Sequence, residues 1–146
     1  MKKLLLISLL TLLYSTIKAQ SISINGLEVG EFYTITVIED SLGIPIKKSA
    51  SEDEFGITYE LFYQDDIFHF DSFAGFSYFG LTTNKYSVSG LFRVGDAVSV
   101  LSNIKNSRME LKEEGCYHFY LGHADDPIVI SFEDGVITSI WYMMSV

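Results

Sequence analysis

The chain has 146 residues, with 10 basic against 19 acidic side chains, a net charge of −9, a single cysteine and 14% aromatic residues. Such acidity repels nucleic acid and anionic membrane surfaces, which are bound through clustered Lys and Arg, and one cysteine excludes an intrachain disulfide. Stability has to come from an apolar core, which a chain of this length is able to bury.

The N-terminus, "MKKLLLISLLTLLYSTIKAQ", has the three parts of an export signal. Lys2 and Lys3 form the positive start, Leu4 to Tyr14 the apolar run, and Ile17-Lys18-Ala19 a cleavage site before Gln20. The apolar run is shorter than the ~20 residues a membrane-spanning helix needs. Residues 1–19 are therefore read as a signal peptide, and the mature chain as periplasmic or secreted with no transmembrane segment. No cysteine stands at the cleavage point to carry a lipid. Lys2, Lys3 and Lys18 leave with the signal, so the mature chain has seven basic and 19 acidic residues, a net −12. A basic protein is the natural complement of that charge; acidity that merely keeps an exported protein soluble is the alternative.

After the signal the sequence runs through one pattern twice. Ser23, Ile24, Gly26 and Leu27 match Ser87, Val88, Gly90 and Leu91, and Val29-Gly30-Glu31 matches Val94-Gly95-Asp96. Asp65-Asp66 then matches Asp125-Asp126, and Gly75 matches Gly135. Such self-similarity marks a repeated structural unit, here 20–85 and 86–146.

Within the first unit, Ile35, Ile38 and Leu42 form one stripe of a helix that Gly43 and Pro45 terminate, although "YTITVI" also alternates as a strand would. "SASEDE" at 49–54 reads as a polar loop, and "YELFYQ" at 59–64 as a strand. In the second unit Val98, Leu101 and Ile104 repeat the helical stripe, with Asp96 placed as N-cap or first-turn acid. "YHFYL" (117–121), "PIVISF" (127–132) and "VITSIWYMM" (136–144) are strands rich in β-branched and aromatic residues, and "EDG" at 133–135 is a tight turn. The last strand is apolar on both faces, so one face is left for the sister unit or a partner. The expected class is α+β: two tandem units, each a helical segment packed on an antiparallel β-sheet.

This layout resembles the β-lactamase-inhibitor-protein-like fold, and each single unit looks like the outer-membrane assembly lipoproteins of the SmpA/OmlA type. Gly95-Asp96, Val98 and "FEDGVITSIWY" from Phe132 to Tyr142 carry most of the likeness. The resemblance implies a sheet whose open face and hairpin loops grip another protein. The inhibitor's disulfides and the lipoproteins' anchoring cysteine have no counterpart here.

Motifs for chemistry are sparse. Gly26, Gly30, Gly90 and Gly95 make no phosphate loop, since no GxGxxG and no following Lys-Ser/Thr occurs, and they read as turns. Cys116 and His118 share a strand face, with His123, His69 or Glu133 as further donors, but no paired metal-ligand motif supports a site. The acidic pairs lack the alternating spacing of a calcium loop and suit turns. No nucleophile with its base can be assembled. The sequence therefore points to a non-enzymatic protein-binding module without metal or cofactor. Its expected contacts are Phe62, His69, Tyr78, His118, Tyr120 and Trp141 on the open sheet face, rimmed by Asp65, Asp66, Asp125 and Asp126. An envelope structural or assembly factor and a carrier of a small apolar ligand are the alternatives.

Overall fold

The computed structural model describes residues 20–145. The expected signal segment, 1–19, lies outside them. Strands β1 (Ser23–Ile24) and β2 (Leu27–Glu28) form a small hairpin, followed by helix α1 (Ile35–Leu42). Four longer strands follow: β3 (Lys47–Asp53), β4 (Gly56–Tyr63), β5 (Asp66–Asp71) and β6 (Gly75–Leu81). The second half repeats the order with β7 (Ser87–Val88), β8 (Phe92–Arg93), a 3-10 helix (Val98–Asn103), β9 (Ser107–Glu113), β10 (Cys116–Leu121), β11 (Ile128–Glu133) and β12 (Val136–Met143).

The expected α+β class does not hold. The described residues are 51% strand and 11% helix, built on two antiparallel sheets rather than two helix-on-sheet units. Both sheets run through both halves. The larger has the order β3-β4-β5-β6-β12-β11-β10-β9, and the smaller β2-β1-β7-β8. The halves join edge to edge, β6 on β12 and β1 on β7, so neither half keeps a sheet of its own. Two local readings also fail. "SASEDE" lies largely in β3, whose seven residues are all exposed. Polar, charged composition is what an outermost strand carries to discourage pairing, and it erases the alternation that reveals an inner strand. The stripe at Val98, Leu101 and Ile104 closes as a 3-10 helix. Val98 and Val100 are β-branched, and Ser102 Oγ donates to the Ser99 carbonyl at 2.8 Å, both of which weaken α-helix. Asp96 is not its N-cap; its carboxylate accepts from the Arg93 N–H at 2.9 Å, within the preceding turn. The stripe of α1 does form a helix, with Thr34 accepting from the Val37 N–H as N-cap.

One core lies between the layers. Leu61, Phe68, Phe79, Tyr142, Ile128 and Phe119 face inward as one row of cross-strand neighbours and are buried. Ile24, Leu27, Ile38, Leu42, Val88, Phe92 and Leu101 meet them from the small sheet, α1 and the 3-10 helix. Phe79 and Tyr142 stack at 5.6 Å across the junction of the halves. The buried hydroxyls of Tyr86 and Tyr63 donate to the Leu42 and Gly43 carbonyls at 3.0 and 2.9 Å, satisfying the C-terminal end of α1.

The repeated "VG(E/D)" segments tie the layers together. Gly30 N–H donates to the Phe76 carbonyl and Phe76 N–H to the Glu31 carbonyl, each at 2.9 Å. Gly95 donates to Ile137 at 2.8 Å, and Ile137 to Asp96 at 2.9 Å. These glycines shape turns, as expected. Gly75 lies at this contact in the first half: it has φ +70°, and a Cβ there would sit 2.5 Å from the Glu31 carbonyl oxygen. Gly135, its match in sequence, has φ +76° with no heavy atom within 4 Å of such a Cβ. Gly75→Ala is therefore expected to cost about 3 kcal/mol or more, from backbone overlap added to left-handed strain. Gly135→Ala should cost only about 1–2 kcal/mol, from the strain alone. Urea unfolding of the two variants measures the difference, and equal losses would remove the clamp as its cause.

Candidate functional site

The small sheet and the helices cover one face of the large sheet. On the other face, cross-strand register places Lys47, Phe62, Ile67, Gly80, Trp141, Val129, His118 and Glu110 in a single row across all eight strands. A second row holds Ser49, Glu60, His69, Tyr78 and Met143, and Tyr120 pairs with Arg108 on the far side. Period-2 alternation explains the gathering, because every inward core residue leaves its neighbours pointing outward. Phe62, His69, Tyr78, His118, Tyr120 and Trp141 thus share one face, each half-buried by its neighbours. Ile67 and Val129 complete the apolar row, and Met143 is 68% exposed beside Tyr78.

Local contacts hold these side chains in place. The Lys47 ammonium sits 5.2 Å from the Phe62 ring centroid, and the Arg108 guanidinium 4.1 Å from that of Tyr120. Cation–π attraction of this kind orients both partners at the ends of the face. The Trp141 ring lies over Gly80, where a Cβ would come within 2.2 Å of the indole. Glycine at this point lets the largest side chain of the face lie flat on the sheet.

A β-bulge interrupts each half at the same place, between His69 and Phe70 opposite β6 and between Ser131 and Phe132 opposite β12. In the first half it leaves Ser77 beside His69, with Ser77 Oγ 3.2 Å from His69 Nδ1. Glu60, Ile67, His69, Ser77, Tyr78 and Met143 line an open groove of ≈ 460 Å³ there. Burial, reinforced by the Glu60 carboxylate, pushes the Tyr78 hydroxyl above its ordinary pKa. Glu60 is the cross-strand neighbour of His69, but among the described residues no hydrogen bond joins them. The Ser-His pair therefore lacks the orienting third member of a serine nucleophile, and Ser77 itself is buried.

The acidic pairs split. Asp65 and Asp125 are exposed. Asp66 is 1% exposed and faces inward: its carboxylate accepts from the Thr82 and Thr83 N–H groups at 2.8 and 3.0 Å and from the Thr83 hydroxyl. Asp126 likewise accepts from the N–H and hydroxyl of Ser145 at 2.8 and 2.7 Å. The second aspartate of each pair latches the chain as it leaves a central strand. Asp66 is consequently unavailable as a rim contact, because exposing it would break three hydrogen bonds.

Burial and the Glu113 carboxylate push the Cys116 thiol above its ordinary pKa, which disfavours the reactive thiolate. Cys116 and His118 do share the open face, but among the described residues no three His, Cys, Asp or Glu side chains converge as metal ligands.

A second exposed cluster went unread in the sequence. Phe32, Phe55 and Phe73 are 62, 61 and 60% exposed at one end of the first half. Phe55 and Phe73 meet edge-to-face at 5.4 Å. Each follows an aspartate by two positions, and that aspartate accepts from the phenylalanine N–H, Asp53 at 2.9 Å and Asp71 at 2.8 Å. Asp-x-Phe at two hairpin tips was the available signal, since the carboxylate fixes the turn that presents the ring.

The face yields a direct test through Trp141, the one tryptophan in the chain. Gly80→Ala should lift the indole off the sheet, red-shift its fluorescence towards that of exposed tryptophan and cost about 1–3 kcal/mol in urea unfolding. An unchanged emission spectrum would place the ring elsewhere.

No family model and no curated protein matches the chain. A crystal structure of an extracellular protein containing an SCP domain from Bacillus anthracis str. Ames is similar at 11% identity and a TM-score of 0.45. The likeness covers 80% of this chain and 44% of that one. At that level it assigns neither a fold family nor an activity.

Proposed function

We propose that this chain is an exported, non-enzymatic binding module that engages a cationic partner protein through the open face of its large sheet. The observation that carries the reading is the uncovered band of Phe62, Ile67, His69, Tyr78, Trp141, Val129, His118 and Tyr120, two rows deep at its centre, in a mature chain of net charge −12. Half-buried aromatic side chains on a rigid strand scaffold give large contact area at little entropic cost, which is how binding hot spots are built. The acidic surroundings, including exposed Asp65 and Asp125, favour basic partners and speed their approach. Neutralising an enzyme or toxin is one form this binding takes; an envelope structural or assembly factor is the competing reading. Among the described residues no helix is long and apolar enough to cross a membrane.

Export is tested by the mass of the chain recovered outside the cytoplasm. Cleavage after Ala19 leaves Gln20 as the first residue, and a recovered chain that retains Met1 would overturn the signal reading.

Binding is tested with the immobilised mature chain and the producing cell's envelope and medium. A stoichiometric partner is expected, with retention falling as salt rises from about 50 to about 500 mM. The triple variant Phe62→Ser, Tyr78→Ser, Tyr120→Ser leaves the core face untouched and should weaken capture by more than about tenfold. Equal capture by this variant, with its circular dichroism unchanged, would show that the sheet face is not the contact.

A further inference from the structure

We propose that the chain forms a two-fold symmetric dimer in which β3 pairs antiparallel with β3 of a second copy. Strand β3 is the outer edge of the large sheet, and its seven residues, "KKSASED", are all exposed. An unpaired edge offers alternate backbone N–H and C=O groups to an incoming strand. Read in opposite directions about Ala50, this edge is complementary to itself. Lys47 falls opposite Asp53, Lys48 opposite Glu52, and Ser49 opposite Ser51. Directly opposed charges of unlike sign support antiparallel pairing, and like signs oppose it.

Lysines on an edge ordinarily repel strand addition. Here they find acids only when the incoming strand is another copy in this register, so the same charges that admit a second chain turn away most others. The opposite edge behaves differently. Pairing β9 with itself about Glu110 would set Arg108 against Lys112 and Glu110 against Glu110. Moreover, Arg108 and Lys112 already lie 3.3 and 2.6 Å from Glu110 within the chain. One edge accepts a copy and the other refuses one, which closes the assembly at two chains.

Exposed apolar side chains bracket β3 and belong to the same contact. Ile44 and Ile46 precede it at 85 and 73% exposure, and Phe55 follows it at 61%. Continuing the register brings the Ile44–Ile46 segment of one copy alongside the Phe55 hairpin tip of the other, at both ends of the strand pair. Burial of these groups adds to the backbone ladder. Lys47 and Asp53 keep internal partners, the Phe62 ring for the lysine and the Phe55 N–H, Gly56 N–H and Ser72 hydroxyl for the aspartate, so the Lys48–Glu52 pairs carry the register. The exposed Lys48–Glu39 contact at 3.0 Å that competes with them is worth little at a solvated surface. The molecule already joins its own halves in this way, through antiparallel pairing of β6 with β12.

The interface is small, so a dimer with a dissociation constant on the order of micromolar is expected. Sedimentation velocity of the mature chain over a concentration series measures it. Lys48→Glu sets two acidic pairs face to face across the two-fold axis, and Glu52→Lys sets two basic pairs. Each variant alone should weaken dimerisation at least about tenfold. An equimolar mixture should restore it as a heterodimer, because each altered charge then meets its opposite. Both positions are exposed, and circular dichroism checks that the fold is kept. A chain that stays monomeric to about millimolar concentration overturns the proposal. So does a dimer indifferent to both substitutions, or a loss that mixing fails to repair.

Discussion

Each half is fastened by the same reciprocal pair of backbone hydrogen bonds, between a glycine turn leaving the small sheet and a central strand of the large one. In the first half the pair joins Gly30 and Glu31 to Phe76, and in the second Gly95 and Asp96 to Ile137. In the second half the Val98 N–H adds a bond to the Gly135 carbonyl at 2.8 Å. Without these bonds the layer of two-residue strands would be too short to hold its own register. The clamp also dictates local chemistry. Gly75 has no room for a Cβ because the Glu31 carbonyl passes beside it, and the turn glycines take positive φ where other residues would be strained. The repeated glycine motif is thus a joint between layers.

Fixing the small sheet on one side decides which side stays open. Core packing consumes the row from Leu61 through Phe68, Phe79 and Tyr142 to Phe119, and the sister half contributes an edge instead of a cover. The uncovered face is therefore a consequence of how the halves join. Had they packed face to face as a sandwich, Trp141 and Tyr78 would be core residues. Edge-to-edge joining keeps them half in water, with Gly80 providing the flat floor under the indole.

Alternation made much of this legible from the residues. Strands 117–121 and 136–144 were bounded nearly as they form, and the aromatic residues expected on the open face all reach it. The unread parts share a cause: they depend on contacts between distant segments. Whether β6 meets β12 is a matter of which edges lie free, and that choice turned an expected pair of helix-on-sheet units into one mostly β protein. β3 escaped because this edge strand is polar on both faces. Asp66 was misplaced because its tandem with Asp65 reads as an exposed turn. In fact the latch to Thr82 and Thr83 needs a strand arriving from 16 residues away.

The bulges show how duplicated architecture diverges at a surface. Both halves widen their hairpin at the same point, which bends and twists the strand. In the first half the residues set there are His69, Ser77 and Tyr78, beside Glu60, and they line a groove. In the second, the bulge sits at Ser131 opposite Ser139, side chains too short to wall one. A common backbone with unequal side chains places the groove of the face in one half. The other half supplies a flatter surface through Val129, His118 and Tyr120. A partner that reads both halves must accordingly be asymmetric where it touches them, with a protruding group for the groove and a smooth surface for the rest.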